Sequence, residues 1–128
     1  MPVRLCAGLG SAAIALCADS AATTAIMNDY GIEDVFARQI RAHGRTGDVL
    51  IAFSTSGTSP NVVAAAKAAL EIGVTVWALT GPAPNPLAAL SDSAIPVAAP
   101  TVATVQEIHL SMVHALCIAL DDALGVPT

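Results

Sequence analysis

The stretch FSTSGTSPN, residues 53–61, decides the fold, because it stands between an apolar run of strand length and an Ala-rich helical pattern. The apolar run, VLIAF at 49–53, is typical of a parallel strand buried on both faces. Pro60 suits the first position of a helix, and Ser59 suits the N-cap position before it. The stretch therefore predicts a strand that passes through a short hydroxyl-rich loop into a helix.

Further apolar runs of strand length alternate with helical patterns along the rest of the chain. Such alternation with short loops predicts an α/β three-layer sandwich with a parallel sheet. The Pro-rich residues 81–86 are interpreted as an ordinary loop. The other predicted strands are AIALC at 13–17, VTVWALT at 74–80 and AIPVA at 94–98, and the predicted helices cover residues 20–28, 32–42, 60–72 and 104–124.

Length and composition restrict the function classes. The 128 residues fit one domain, and 55% apolar against 12% charged residues supply a packed core. Only 3% of the residues are aromatic, and the formal charge is −5. This charge has the wrong sign for a nucleic-acid binder, so no direct nucleic-acid partner is expected. A phosphate ligand must therefore be small and locally recognised.

Cysteine usage favours a cytoplasmic location. Cys6, Cys17 and Cys117 form no CxxC pair, and their odd number argues against a disulfide framework. The alternative lies near the N-terminus, where LCAGLGSAAIALCA at 5–18 also fits the apolar region of a signal peptide. The strand predicted at 13–17 competes with that interpretation.

The long apolar stretch at 102–124 predicts a buried helix of a soluble domain and no membrane span. Its six ionisable or amide side chains would be costly in a bilayer core. Because the stretch is apolar over more than one helical face, it also predicts a homo-oligomer in which this helix helps to form the interface. The six polar residues are Gln106, Glu107, His109, His114, Asp121 and Asp122.

The hydroxyl-rich loop allows two interpretations of about equal weight by composition. Backbone N–H groups at a helix start, together with hydroxyl groups, can bind an oxyanion without Lys or Arg. Alternatively, the loop is an ordinary polar connection with a capping serine. Its place at the carboxyl end of a predicted parallel strand favours anion binding.

Three motifs in this order carry a family resemblance. They are STSGTS with GDVLIAF before it and GVTVWALTG after it, NDYG from Asn28, and VQEIHLSMVH from Val105. Together they resemble the sugar-isomerase (SIS) domain family, in its phosphoheptose isomerase branch, over about residues 13–124.

The resemblance implies a five-stranded parallel sheet of flavodoxin-like order and assembly into a homotetramer or dimer. It also implies interconversion of sedoheptulose 7-phosphate and D-glycero-D-manno-heptose 7-phosphate. By the same resemblance, His114 is an acid-base residue, Gln106 and His114 are zinc ligands, Asn28, Asp29 and Gln106 contact the sugar, and Ser54, Thr55, Ser56 and Ser59 hold the sugar phosphate.

Helix geometry is compatible with the implied zinc pair. Residues eight apart lie about 80° apart around a helix and roughly 12 Å along it, so Gln106 and His114 can lean toward one site. Two ligands leave a zinc shell incomplete, because zinc sites need three or four protein ligands. His109 falls on a different face from His114, and a helix-surface or interface role is predicted for it.

The sequence departs from the family pattern at two places. Relatives carry a first strand with a Gly-rich loop and then a helix with a His and a Glu, and nothing ahead of residue 13 matches, so the sheet is expected to lack its first strand. Ala103 and Thr104 stand where isomerases often have an Asp-Arg pair. Weak or absent isomerase activity is therefore expected. The alternative function is a non-catalytic phosphosugar-binding module, or an interaction module like the SIS proteins that associate with the replication initiator.

Overall fold

A parallel sheet with helices on both faces organises the part of the chain that the computed structural model describes, residues 12–126. The described strands are β1 (Val49–Ser54), β2 (Thr75–Thr80) and β3 (Ser93–Pro96). They lie in the order β1-β2-β3, and both neighbouring pairs are parallel. The predicted α/β class is confirmed. The helices are α1 (Ser20–Tyr30), α2 (Val35–His43), α3 (Pro60–Glu71), α4 (Pro86–Leu90) and α5 (Val102–Ala123), with a 3₁₀ helix at Ile32–Asp34.

Small side chains bring α3 close to one face of the sheet. Ala52 and Ala78 lie opposite each other in the β1–β2 ladder and are almost fully buried. On α3, Ala66 and Ala69 are fully buried against the same core. Because none of these residues has a side chain beyond Cβ, the helix and sheet can approach closely, and this fixes where α3 begins relative to β1.

The second face of the sheet is only partly covered. Along it, Phe53 and Trp77 keep 43% and 41% of their surface exposed. Met112 and Leu116 of α5 lie over this face and line a cavity of about 280 Å³. The prediction that the strands are buried on both faces is therefore wrong for this face, because α5 covers only part of it.

Helix α5 starts at a side-chain cap, since Thr101 Oγ1 accepts a hydrogen bond from the Thr104 backbone N–H at 3.1 Å. Its buried residues are Val105, His109 and Cys117. By length and composition alone, α5 could cross a membrane, and 17% of its most apolar window is buried.

Residues 13–17 form no strand, contrary to prediction. A turn is closed there by the Ala18 N–H bonded to the Ala15 carbonyl. The Leu16 carbonyl accepts a bond from the Gln39 side-chain amide of α2 at 2.9 Å. A strand needs a ladder partner, and within residues 12–126 the only strand paired with β1 is β2. The apolar run therefore packs beside α2 without joining the sheet.

Two helical segments differ from the prediction. Residues 32–42 divide into the 3₁₀ helix and α2, which meet at Asp34 and Val35. The stretch at 81–86 is a loop only as far as Asn85, which begins α4 by accepting a bond from the Ala88 N–H at 2.8 Å. Asn85 and Pro86 are a helix-start signal. The high proline content of residues 81–86 favoured the interpretation as a loop instead.

Candidate functional site

The serine loop, defined as residues 54–59, connects the carboxyl end of β1 to the first turn of α3. Ser54 ends the strand, and Pro60 occupies the first helical position. In open α/β sheets, ligands bind outside the carboxyl ends of the strands, where helix N-termini present backbone N–H groups. The predicted strand–loop–helix arrangement is confirmed.

Hydroxyl groups converge inside the serine loop. The Oγ of Ser54 lies 2.9 Å from that of Ser59 and 3.4 Å from that of Ser56. Ser54 is buried, and its Oγ also accepts a hydrogen bond from the Gly57 N–H at 3.0 Å. Ser56 is exposed and accepts bonds from the backbone N–H and the hydroxyl of Thr58. The loop is thus held by its own hydroxyls, with Ser56 at its surface.

Ser59 occupies the N-cap position of α3 without capping the helix through its side chain. Its hydroxyl is directed to Ser54 instead. An N-cap side chain usually satisfies a first-turn N–H group, and here it does not. Pro60 has no N–H, and the Val62 and Val63 N–H groups donate to the Ser59 carbonyl. The first-turn donor that remains for an anion is the Asn61 N–H.

The loop between β2 and α4 is pressed against the serine loop. At Gly57, where φ is +65°, an added Cβ would overlap the side chain of Asn85. At Gly81, an added Cβ would overlap the carbonyl oxygen of Thr55. The Leu87 N–H also donates to the Gly57 carbonyl at 3.0 Å. The lack of a side chain at Gly57 and Gly81 thus allows the loop between β2 and α4 to pack directly against the serine loop.

Asn85 is a buried polar residue that the sequence analysis did not single out. Its Nδ2 donates to Thr80 Oγ1 at 3.0 Å and to the Pro82 carbonyl at 3.2 Å. Its Oδ1 accepts from the Ala88 N–H. The whole amide is used, so its orientation is fixed.

His109 is also buried, which corrects the prediction of a helix-surface or interface role. It is 6% exposed, and its Nε2 lies 3.1 Å from the Thr80 carbonyl oxygen. Its ring meets that of Phe53 edge to face, with 6.1 Å between centroids. The angle between His109 and His114 around the helix does not show which side of α5 faces the sheet, so it could not predict this burial.

The other predicted site residues lie on separate helices. Gln106 and His114 are exposed on α5, and Asn28 and Asp29 are exposed in the last turn of α1. None of the hydrogen bonds found within residues 12–126 joins these four side chains to the serine loop. The predicted phosphate ligands thus share one loop, and the roles predicted for the four residues on α1 and α5 stay predictions.

The implied zinc ion does not fit the described residues by themselves. Within residues 12–126, no group of three or more His, Cys, Asp or Glu side chains could hold a metal ion. Gln106 and His114 supply two ligands at most, whereas zinc takes three or four from protein. Zinc binding stays a prediction, and no chemical step is derived through it.

The comparison with family models decides where the chain belongs. The SIS domain model matches residues 5–81. The chain belongs to the SIS domain family. This SIS domain is 64% identical to the phosphoheptose isomerase of Streptomyces coelicolor over 112 residues, which are 88% of this chain and 48% of the relative. It is 47% identical to that of Neisseria gonorrhoeae, covering 88% of this chain and 59% of the relative. The SIS domain thus spans about half the length of the curated relatives it matches.

Solved structures agree with the family assignment. The SIS domain superposes on phosphoheptose isomerase GmhA from Neisseria gonorrhoeae with a TM-score of 0.84 and 47% identity, covering 87% of this chain and 62% of that one. A phosphoheptose isomerase from Francisella tularensis gives 0.82 and 37%, covering 85% and 61%. The Vibrio vulnificus NanR protein complexed with ManNAc-6P gives 0.58 and 27%, covering 68% and 35%. The predicted resemblance is confirmed.

Proposed function

We propose that this SIS domain binds the phosphate of sedoheptulose 7-phosphate at the serine loop and supplies that part of the active site of a phosphoheptose isomerase. The observation that carries the proposal is the convergence of Ser54, Ser56 and Ser59 at the start of α3. Similarity to phosphoheptose isomerases supports the choice of sugar. The acidic chain needs no Lys or Arg for this task, because the N–H groups of a helix start attract the anion.

The hydrogen bonds indicate different roles for the residues of the serine loop. Ser54 is buried and bonded to Gly57 and Ser59, so we expect it to shape the loop. Ser56 and Ser59 are better placed to donate to phosphate oxygens, together with the Asn61 N–H in the first turn of α3. The backbone carbonyl of Thr55 lies against Gly81, so we expect Thr55 to take part in packing the two loops together.

The isomerisation itself needs groups beyond the phosphate site. An aldose–ketose isomerase moves a proton between C1 and C2, which requires a positioned base and stabilisation of the developing oxyanion. We propose His114 as one acid-base group. Within residues 12–126, no hydrogen bond orients its exposed ring. A second group from outside these residues or from another subunit is therefore part of the proposal.

A homo-oligomer is part of the same proposal. Leu110, Ile118 and Leu120 are exposed on α5, and Trp77 is exposed on the sheet face beside it. Exposed apolar surface of this kind is typical of subunit interfaces. A tetramer or a dimer would cover it, and another subunit could then supply the missing groups.

A non-catalytic phosphosugar-binding module is the second candidate function. The observation that favours it is the likeness to NanR, solved with ManNAc-6P, at 27% identity and a TM-score of 0.58. Binding at the serine loop is common to both candidates. Turnover of the bound sugar separates them.

Calorimetric titration of sedoheptulose 7-phosphate tests the proposed site. A Ser56→Ala, Ser59→Ala double variant should bind at least about tenfold more weakly, because charge-assisted hydrogen bonds contribute about 1.5–3 kcal/mol each. The matched control is Ser111→Ala, whose exposed hydroxyl bonds only to the Glu107 carbonyl of its own helix. Equal affinities for the double variant and the control would refute the phosphate site.

A further inference from the structure

We infer that His109 and Asn85 are positioning residues, which together set where α5 lies relative to the serine loop. A chain of buried contacts runs from α5 to Gly57. Its links are polar from His109 through Thr80 to Asn85 and steric from Asn85 to Gly57. The inference rests on the proposed function and deepens it. It assigns the position of Gln106, the predicted sugar ligand, to His109, and the conformation of the serine loop to Asn85.

The first link joins α5 to β2. Thr80 is fully buried, and its carbonyl oxygen accepts a bond from the Val97 N–H at 2.9 Å while lying 3.1 Å from His109 Nε2. A carbonyl oxygen can only accept, so this contact is a hydrogen bond that His109 donates from Nε2. The ring is further held by its edge-to-face contact with Phe53. One side chain thereby ties α5 to the carboxyl ends of both β1 and β2.

The second link joins β2 to the loop before α4. Thr80 Oγ1 donates to the Gly81 carbonyl at 2.9 Å and accepts from Asn85 Nδ2 at 3.0 Å. Thr80 therefore uses its carbonyl toward α5 and its hydroxyl toward Asn85. A shift of either neighbour would leave a buried polar group without its partner, which folded proteins avoid.

The third link reaches the serine loop. The Asn85 side chain occupies the space that a Cβ at Gly57 would need. Gly57 also accepts the Leu87 N–H through its carbonyl, and its own N–H bonds to Ser54. We therefore expect Asn85 to fix the conformation of the serine loop at Gly57.

His109 has a large share in positioning α5, because few residues of this helix are buried. Only Val105, His109 and Cys117 of this helix are buried within the described residues. Gln106 lies one turn before His109, so the position of this predicted sugar ligand depends directly on the Thr80 contact. Loss of the Nε2 donor should therefore move the sugar-binding half of the site and leave the phosphate-binding half in place.

Two probes separate these effects, namely inorganic phosphate and sedoheptulose 7-phosphate, titrated into the full chain. His109→Phe keeps a ring against Phe53 and removes the donor. We expect it to leave the phosphate Kd within about twofold and to raise the sugar phosphate Kd about tenfold. Asn85→Ser keeps a cap for α4 but is too short to reach Thr80, and it should weaken both ligands about tenfold.

Conservative replacements at His109 keep the test decisive if the Phe variant does not fold. A Gln amide nitrogen can take the place of Nε2, whereas an Asn amide nitrogen takes that of Nδ1. His109→Gln should retain the wild-type ratio of the two Kd values, and His109→Asn should lose it. A role in stability alone would weaken both ligands in parallel for Gln and Asn, and this result would overturn the inference.

The outcomes distinguish this inference from the proposed function. If the Ser56→Ala, Ser59→Ala variant binds both probes as tightly as wild type, the proposed function fails. If binding depends on those serines but the His109 variants leave the ratio of the two Kd values unchanged, the positioning role of His109 fails. If Asn85→Ser leaves phosphate binding unchanged, the role of Asn85 fails.

Discussion

Gly57 and Asn85 are packed so closely that the side-chain amide of Asn85 fills the space where any other residue at position 57 would place its Cβ. Gly57 also has a φ of +65°, in the left-handed region that favours glycine. The turn within the serine loop and the loop before α4 thus require each other. Sterics, backbone conformation and hydrogen bonding converge on this one contact.

Replacement of Gly57 by alanine is expected to destabilise the domain and abolish phosphate binding. Left-handed backbone costs a residue with a Cβ roughly 1–2 kcal/mol, and overpacking against Asn85 adds about 1–3 kcal/mol. Gly47 is the matched control, because its φ is +93° and nothing lies within 4 Å of an added Cβ. Urea unfolding measures both costs. A Gly57→Ala variant no less stable than Gly47→Ala would contradict the close contact.

The strand–loop–helix unit could be predicted from sequence because its signals are local. Apolar residues at 49–53, the N-cap residue Ser59 and Pro60 each favour the structure that they adopt. A hydrogen bond from the first turn of α3 to the Ser59 side chain would have been a further local contact. Its hydroxyl turns to Ser54 instead, because the loop brings these residues together across five positions.

Features that depend on distant partners could not be predicted. Residues 13–17 have the composition of a strand, yet a turn closes there, since a strand forms only as one of two segments of a ladder. The burial of His109 depends on which side of α5 meets the carboxyl end of β2. The role of Asn85 depends on the absence of a Cβ at Gly57, a contact between residues 28 positions apart.

Slow or undetectable isomerisation is expected from the 128-residue chain. General acid-base groups typically contribute 10²- to 10⁴-fold each, and His114 is the one acid-base group that we propose within residues 12–126. A coupled assay for heptose 7-phosphate, with zinc added and with chelator, measures the rate. Neisseria gonorrhoeae GmhA serves as the positive control. A rate comparable to that control would show that the catalytic groups are misplaced in the proposal.

Association through α5 is expected at micromolar concentration. Leu110 is 45% exposed in the middle of the helix, so Leu110→Lys should lower the molar mass measured by light scattering. Thr24→Lys adds the same charge at an exposed position on α1 and should leave the molar mass unchanged. A folded wild-type chain that stays monomeric would exclude this interface.

Backbone amide NMR during titration tests the central claim, that the serine loop binds the phosphate of a sugar phosphate, more directly than any other measurement. With sedoheptulose 7-phosphate, the largest shift changes are expected at Ser56, Gly57, Thr58 and Asn61. Unphosphorylated sedoheptulose at the same concentrations should leave these amides unchanged, since the anion is what the helix start attracts. Changes centred elsewhere in the chain, or equal changes with both sugars, would contradict the claim.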